Sequence, residues 1–345
     1  MTDYKTYIGF EHLERLNTAT SISFDSETLQ LRPEVGKLRL LQFGSAARKT
    51  VVVVDLFRAS EAELAQLDLF FTNGSRYWLA HNAVFDLGWC GAYGWFPKGE
   101  VRCSMLASKL LSNGMPNLKH GLAPVVKRYL DIELDKEEQR SDWSGELTES
   151  QIRYAAKDVE ILCELDAVIH QKIAQARLGG AYSLECRALP ALAAMSNTGL
   201  PFDRQALQGI EVDYEKDIEN LGREFHLELD DALPKEAKLP RNEDGTFNLR
   251  ARESGSVRLG TKQYAGFNIA SPKQLLGKLT LVLGEEPIDA KTQKPSASRT
   301  ALREYAGNHT VIATYLQWKK AEKRRQMVAA LLKHQCADGL VRASY

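Results

Sequence analysis

Two carboxylates stand two residues apart in Phe24-Asp25-Ser26-Glu27. On an extended strand, residues i and i+2 face the same way, so Asp25 and Glu27 present their charges side by side. Such a pair is costly unless a cation neutralises it. A third carboxylate, Asp86, follows Leu79-Ala80-His81-Asn82-Ala83-Val84-Phe85, a buried strand running into a helix. In Tyr154-Ala155-Ala156-Lys157-Asp158 the tyrosine and the aspartate are four apart, one turn above the other on a helix face. Each element alone has an ordinary reading: a solvated strand end, a carboxylate favoured by a helix N-terminal dipole, a half-buried tyrosine on an amphipathic helix. A nest of carboxylates is the natural cage for magnesium, which prefers hard oxygen ligands at about 2.0–2.1 Å. Two such ions roughly 3.5–4 Å apart can serve both oxygens of an in-line displacement at phosphorus.

The elements that must position these residues are legible in outline. Residues 20–24, 38–43, 51–54 and 77–79 read as strands, with turn residues at 33–36 between the first two. Residues 60–71 read as a helix capped by Ser60, and a second helix follows over 83–93. Apolar residues recur at helical spacing from 104 to about 130, interrupted near 113–117. Thr148 and Gln151 form a capping box for a helix reaching about 176. Strands first and helices interleaved imply an α/β domain with one mixed sheet over residues 1–180. The pair Gly179-Gly180 marks a boundary, beyond which the β signal nearly vanishes. Leu207, Ile210, Tyr214, Ile218, Leu221 and Phe225 keep one face of a long helix, residues 231–266 read as an extended polar loop, and helical patterning resumes at Ser271.

The segments FDSET, HNAVFDL and YAAKDV, in this order, resemble the three exonuclease motifs of the DEDD superfamily in its tyrosine-bearing branch. The resemblance implies a ribonuclease H-like 3′-5′ exonuclease domain with Asp25, Glu27, Asp86, Tyr154 and Asp158 as catalytic residues. It implies two divalent ions, Mg2+ or Mn2+, with Asp25 bridging both, Glu27 and Asp158 completing one site and Asp86 acting on the other. Tyr154 would orient the attacking water, since a neutral phenol can donate a hydrogen bond near pH 7. Leu31 matches an apolar residue that wedges against the terminal bases, and Asn82 a substrate-side asparagine; each also fits a packing or turn role.

The stretch Glu138-Gln139-Arg140-Ser141-Asp142-Trp143-Ser144 occurs both in ribonuclease D and in the exonuclease domain of DNA polymerase I-type (family A) enzymes. The second half separates them. Leu184 to Met195 followed by Asn197-Thr198-Gly199-Leu200-Pro201-Phe202-Asp203 resembles the opening of the family A thumb, and Phe267-Asn268-Ile269-Ala270-Ser271-Pro272-Lys273-Gln274-Leu275 resembles a thumb signature. Ser271 as N-cap and Pro272 at the first helical position leave N–H groups free to meet a phosphate beside Lys273. From 319 to 325 five basic residues stand against Glu322 alone, and Lys323 and Arg325 align with basic thumb residues that follow a duplex backbone. Such a run on its own is a solvated basic face; the context favours phosphate contacts. Residues 337–345 resemble the approach to the polymerase palm, whose own residues and those of the fingers are not found here. The implied architecture is an exonuclease domain at 1–180 followed by a mainly helical, incomplete thumb segment at 181–345. The implied partners are a single-stranded DNA 3′ end, primer-template DNA and a separate palm/fingers chain. The alternatives are a ribonuclease D-like trimming enzyme for RNA 3′ ends and a non-catalytic DNA-binding module.

Composition constrains the other readings. Forty-five basic and forty-five acidic residues among 345 leave no net charge, where nucleic-acid binders are often basic overall; local clustering of each sign answers that objection. The five cysteines form no CxxC pair, and His334 with Cys336 lacks the second ligand pair zinc needs. No secretory signal or membrane span is seen, which makes the cytoplasm the expected location, with no membrane partner. Residues 255–262 nearly spell a phosphate-binding loop, but Thr261 and Lys262 stand in reversed order and no buried strand precedes them, so an NTPase is rejected.

Overall fold

The computed structural model describes residues 4–74, 76–134, 141–249 and 266–343. The arginines and Lys262 within 250–265, the reversed phosphate-loop motif and Glu138-Gln139-Arg140 lie outside them. The described chain forms two compact units, Met1–Leu200 with Arg342–Tyr345, and Pro201–Val341.

The first unit is built on a six-stranded mixed sheet in the order β1-β4-β3-β2-β5-β6. The strands are β1 Lys5–Ile8, β2 Ser21–Thr28, β3 Leu38–Ser45, β4 Thr50–Asp55, β5 Tyr77–Ala80 and β6 Val101–Cys103. Strands β2, β3 and β4 pair antiparallel, while β1, β5 and β6 join in parallel. Every residue of β3 is buried because the sheet is covered on both faces. One face carries Phe24, Phe43, Phe71 and Trp78, several of them meeting edge to face. The other carries Leu40, Val51 and Val53 beneath Ala155, Ala156 and Val159.

The helices of this unit are α1 Glu61–Phe71, α2 Ala83–Ala92, α3 Ser104–Leu111, α4 Leu122–Leu130, α5 Glu149–Gln175 and α6 Gly179–Thr198. Helix α1 begins in a capping box between Ser60 and Glu63, and α5 in one between Thr148 and Gln151. The helical run from 104 breaks where Gly114 and Asn117 adopt positive φ of 83° and 66°. The glycine pair at 179–180 lies within α6, whose Tyr182, Cys186, Leu189 and Ala193 join the first unit's core. The division therefore falls at Leu200/Pro201, after this helix. Burial explains the shift: the apolar face of α6 is satisfied by α2 within the first unit.

The second unit pairs α7, Arg204–Ala232, with α10, Thr310–His334, and adds α8, Pro272–Leu283, and the single turn α9, Arg299–Leu302. Its core joins Phe225, Leu229, Leu275, Leu279, Leu302, Ile312, Tyr315 and Trp318. Of the expected α7 face, Leu207 and Phe225 are buried, Tyr214, Ile218 and Leu221 half-buried, and Ile210 exposed. The described ends of the expected 231–266 loop are not featureless. A 3-10 turn spans Lys235–Ala237, and Arg241 pairs with Asp230 at 2.8 Å and lies over the Phe247 ring. Among the described residues no helix is long and apolar enough to cross a membrane.

Candidate active site

Strand β2 extends past its apolar half to Thr28, so Asp25 and Glu27 project from the strand's C-terminal half toward α5. A bulge between Glu27 and Thr28 ends the regular register there. Ser23, on the same face, anchors the strand under α5: its hydroxyl lies 2.8 Å from the Val159 carbonyl and 3.2 Å from that of Gly44. Val159 follows Asp158, so this contact sets the rotation of α5 that turns Asp158 toward β2. One oxygen from each of Asp25, Glu27 and Asp158 lies within 4.8 Å of the other two. An ion with ligands at about 2.1 Å spans oxygens up to about 4.2 Å apart, so the trio needs only a small inward closure to hold one.

Asp86 reaches the site from the opposite side. It is buried in the first turns of α2, and the Ser26 hydroxyl donates to its Oδ1 at 2.5 Å. It stands outside the trio, yet its charge raises the pKa of both Asp25 and Glu27. Asn82, just before α2, is exposed and left-handed (φ 63°), and its side chain makes no capping bond. His81 beside it is held neutral. Its Nε2–H donates to the His120 carbonyl at 3.0 Å, leaving Nδ1 to accept from Ser104 at 2.8 Å, and burial lowers its pKa to about 4.

Electrostatics argue for a cation. Burial, then the charges of Asp86, Asp158 and Glu27, push Asp25 well above the usual carboxylate range. Burial and the other carboxylates raise Glu27 to about 8; burial alone raises Asp86 and Asp158 to about 7, against hydrogen bonds that lower them. Four crowded acids that resist ionisation are what a divalent ion would reverse. Tyr154 hydrogen-bonds to Asp158, and burial followed by the neighbouring negative charges holds its phenol in the neutral form.

The segment before α5 fixes where that helix starts. Trp143 is buried against Val51, Val53 and Ala155, while Gln151 donates to Ser141 Oγ at 3.1 Å and to the Asp142 carbonyl at 3.0 Å. Leu31, in the loop after β2, is 81% exposed and takes no part in the core. Ser23 and Ser26 escape a reading of the sequence: a serine between apolar residues, or between two acidic ones, carries no signal until the strand's two faces are assigned.

In the second unit, Ser271 holds the N-cap position of α8 without a side-chain bond, and Lys273 is exposed within the first turn. The basic run on α10 divides. Lys320, Lys323 and Arg324 join Arg299 and Arg303 around a cleft of about 630 Å³ whose lining has no acidic residue. Lys319 also lines it, but its ammonium donates to the Ala297 carbonyl. Arg325 pairs with Glu322 at 3.2 Å and does not line the cleft.

Residues 10–174 match the model of a 3′-5′ exonuclease family. DNA polymerase I of Aquifex aeolicus is 25% identical over 299 residues, covering 79% of this chain and 49% of the relative. Ribonuclease D of a Shewanella species is 33% identical over 165 residues, covering 46% of this chain and 39% of the relative. The chain thus spans about half or less of these curated relatives. Among solved structures, the POL domain of Pol1 from M. smegmatis, in complex with DNA primer-template and dNTP, shares the fold. It does so at a TM-score of 0.69 and 16% identity, over 97% of this chain and 49% of that one. Escherichia coli RNase D matches 61% of this chain and 55% of its own at a TM-score of 0.50 and 22% identity. Exonuclease domains of this family are hydrolytic and use divalent metal ions, and the acidic trio here supplies the hard oxygen donors such ions take. Residues 10–174 thus carry a 3′-5′ exonuclease domain, and the chain as a whole is similar in sequence to a DNA polymerase I-type (family A) enzyme and shares its fold through the helical second unit.

Proposed function

We propose that the chain removes nucleotides from DNA 3′ ends, with Asp25, Glu27, Asp86 and Asp158 holding two divalent ions, Mg2+ or Mn2+, and Tyr154 orienting the attacking water. The observation that carries this reading is the convergence of Asp25, Glu27 and Asp158 from two elements, with the Tyr154 phenol on the same helix face. When bound, the ions supply charge stabilisation for the attacking and departing oxygens. The protein's own part is positional. Ser26 fixes the Asp86 carboxylate, Ser23 fixes the α5 register, and Tyr154 keeps its proton and can donate or accept a hydrogen bond. The exposed Leu31 and Asn82 are offered as contacts to the terminal nucleotides, and the α8 start at Ser271 and Lys273 as a contact to the phosphate backbone.

DNA is favoured because similarity to a DNA polymerase I covers 79% of the chain and so extends beyond the first unit, and because the second unit carries a basic cleft. Lys323 is assigned to the backbone of duplex DNA there, and Arg325, by alignment, flanks it. Proofreading is the role such a domain takes beside a polymerase centre, whether on primer-template DNA held by this chain or with a separate palm/fingers chain. RNA trimming is the second reading, favoured by the higher identity to ribonuclease D, 33% over 165 residues. Single-stranded DNA and RNA of one sequence, each 5′-labelled and incubated with Mg2+, decide between them, since the strands differ at the 2′-hydroxyl. Faster shortening of DNA supports the proposal; faster shortening of RNA replaces it with the second reading.

A further inference from the structure

Gln42 is fully buried, and neither its amide nitrogen nor its amide oxygen has a hydrogen-bond partner among the described residues. Its surroundings make this unusual. Gln42 lies on β3 directly opposite Asp25 and beside Val53 on β4, so its side chain shares their sheet face. Leu40, Val51, Val53, Ala155, Ala156 and Val159 form an apolar layer on that face, with Gln42 the amide among them. Burying an unpaired amide is costly, and a leucine or methionine of similar volume would serve packing better. Buried orphaned polar groups in native proteins call for a reason beyond packing.

The register supplies one. Directly opposed residues of an antiparallel pair have β-carbons about 4.5–5.5 Å apart, so the amide can reach the Asp25 carboxylate directly or through one water. Asp25 is the most heavily burdened acid of the site, with the charges of Asp86, Asp158 and Glu27 all acting on it. A carboxylate that serves a metal is usually held from behind by a hydrogen-bond donor that fixes its orientation. Ser26 plays that part for Asp86; Gln42 is the polar side chain placed to do so for Asp25. We infer that Gln42 is a positioning residue for Asp25, its amide N–H, without a partner among the described residues, engaging the carboxylate directly or through one water as the divalent ion binds. This rests on the metal-site reading of the proposed function.

The test is calorimetric titration of wild type and Gln42→Met with Mg2+ and with Mn2+, alongside the melting temperature of each in metal-free buffer. The expected result is metal affinity about tenfold weaker in Gln42→Met, with metal-free stability equal or higher because an orphaned amide has been removed. Equal affinity in the two proteins, with or without a lower melting temperature, would mean that Gln42 only packs, and the inference alone would fall. No metal binding by the wild type would overturn the metal-site reading and the inference with it. Should Gln42→Met not fold, the wild type answers: with 15N-glutamine labelling, the Gln42 side-chain signal, assigned through Gln42→Asn, should shift on adding Mg2+. A signal that stays put as metal binds overturns the inference.

Discussion

At the scale of single residues, the site stores an electrostatic conflict that a cation resolves. The folded-state pKa values of Glu27, Asp86 and Asp158, at about 8, 7 and 7, stand above the unfolded values near 4, and burial with the neighbouring charges raises that of Asp25 as well. The folded protein then binds more protons than the unfolded chain between about pH 4 and 8. Their stabilising protons are fully held below the unfolded pKa and lost as pH rises through the folded values. Metal-free protein should therefore lose stability across that window. The melting-temperature gain on adding Mg2+ should grow with pH, because metal and protons compete for the same oxygens. Scanning calorimetry at pH 5.5 and 8, with EDTA or Mg2+, checks this; a gain that shrinks as pH rises would contradict it. Tyr154 acts differently. Tyr154→Phe removes a hydroxyl bonded to a carboxylate, worth about 1.5–3 kcal/mol, and should slow single-turnover cleavage roughly tenfold to a hundredfold while leaving metal affinity nearly intact. A variant whose sole defect is weaker DNA binding would make Tyr154 a substrate contact instead.

At the scale of elements, the site depends on how closely α5 lies on the sheet. Gly44 permits that approach: a Cβ there would sit 2.6 Å from Ser23 Oγ, 3.2 Å from the Val159 carbonyl and 3.3 Å from Val159 Cβ. Gly44→Ala must displace α5 or break the Ser23 contact, so it should cost about 1–3 kcal/mol of stability. It should also weaken Mg2+ affinity, because Asp158 moves with the helix. Denaturant unfolding and metal titration of the one variant measure both; an unchanged metal affinity would show that Asp158 tolerates the shift.

The same elements show how much can be read from the chain alone. Strands β2 to β5 and helices α1, α2 and α5 follow from alternation, helical spacing and capping boxes, all local signals. Strand β1 is hidden because it lies at a sheet edge with little burial, and β6 because it is three residues long. The placement of α6 with the first unit depends on burial against α2, which no local pattern reports. Asp25, Glu27, Asp86, Tyr154 and Asp158 are readable because their order and spacing form a resemblance. Ser23, Ser26, Gly44 and Gln42 are not, since their partners lie on other elements. On α10, the basic run can be read from composition, but its division between Lys323 in the cleft and Arg325 against Glu322 needs side-chain geometry.

At the scale of the whole molecule, a neutral chain divides its charges, with acids gathered in one unit's site and bases around the other unit's cleft. Replacing Arg303, Lys320, Lys323 and Arg324 with glutamine should weaken duplex DNA binding similarly across sequences. It should also flatten the salt dependence by up to about 0.9 in log–log slope for each phosphate no longer neutralised. Arg325→Gln alone should do less, its guanidinium being engaged with Glu322. Fluorescence anisotropy across a salt series reads both effects, and an unchanged slope in the four-fold variant would remove the cleft from the interface.

Whether four carboxylates and a tyrosine in the first unit hydrolyse a strand from its 3′ end is decided by a single assay. Wild type, Asp25→Ala and Asp158→Ala are incubated with a 5′-labelled single-stranded DNA in Mg2+, and the products are followed at single-nucleotide resolution. The expected outcome is stepwise shortening from the 3′ end by the wild type, stopped by EDTA. Each variant should be slower by about a thousandfold or more, as expected when several kcal/mol of metal-borne charge stabilisation is lost, and should still fold. Near wild-type rates in either folded variant, or shortening that persists in EDTA, would refute the assignment.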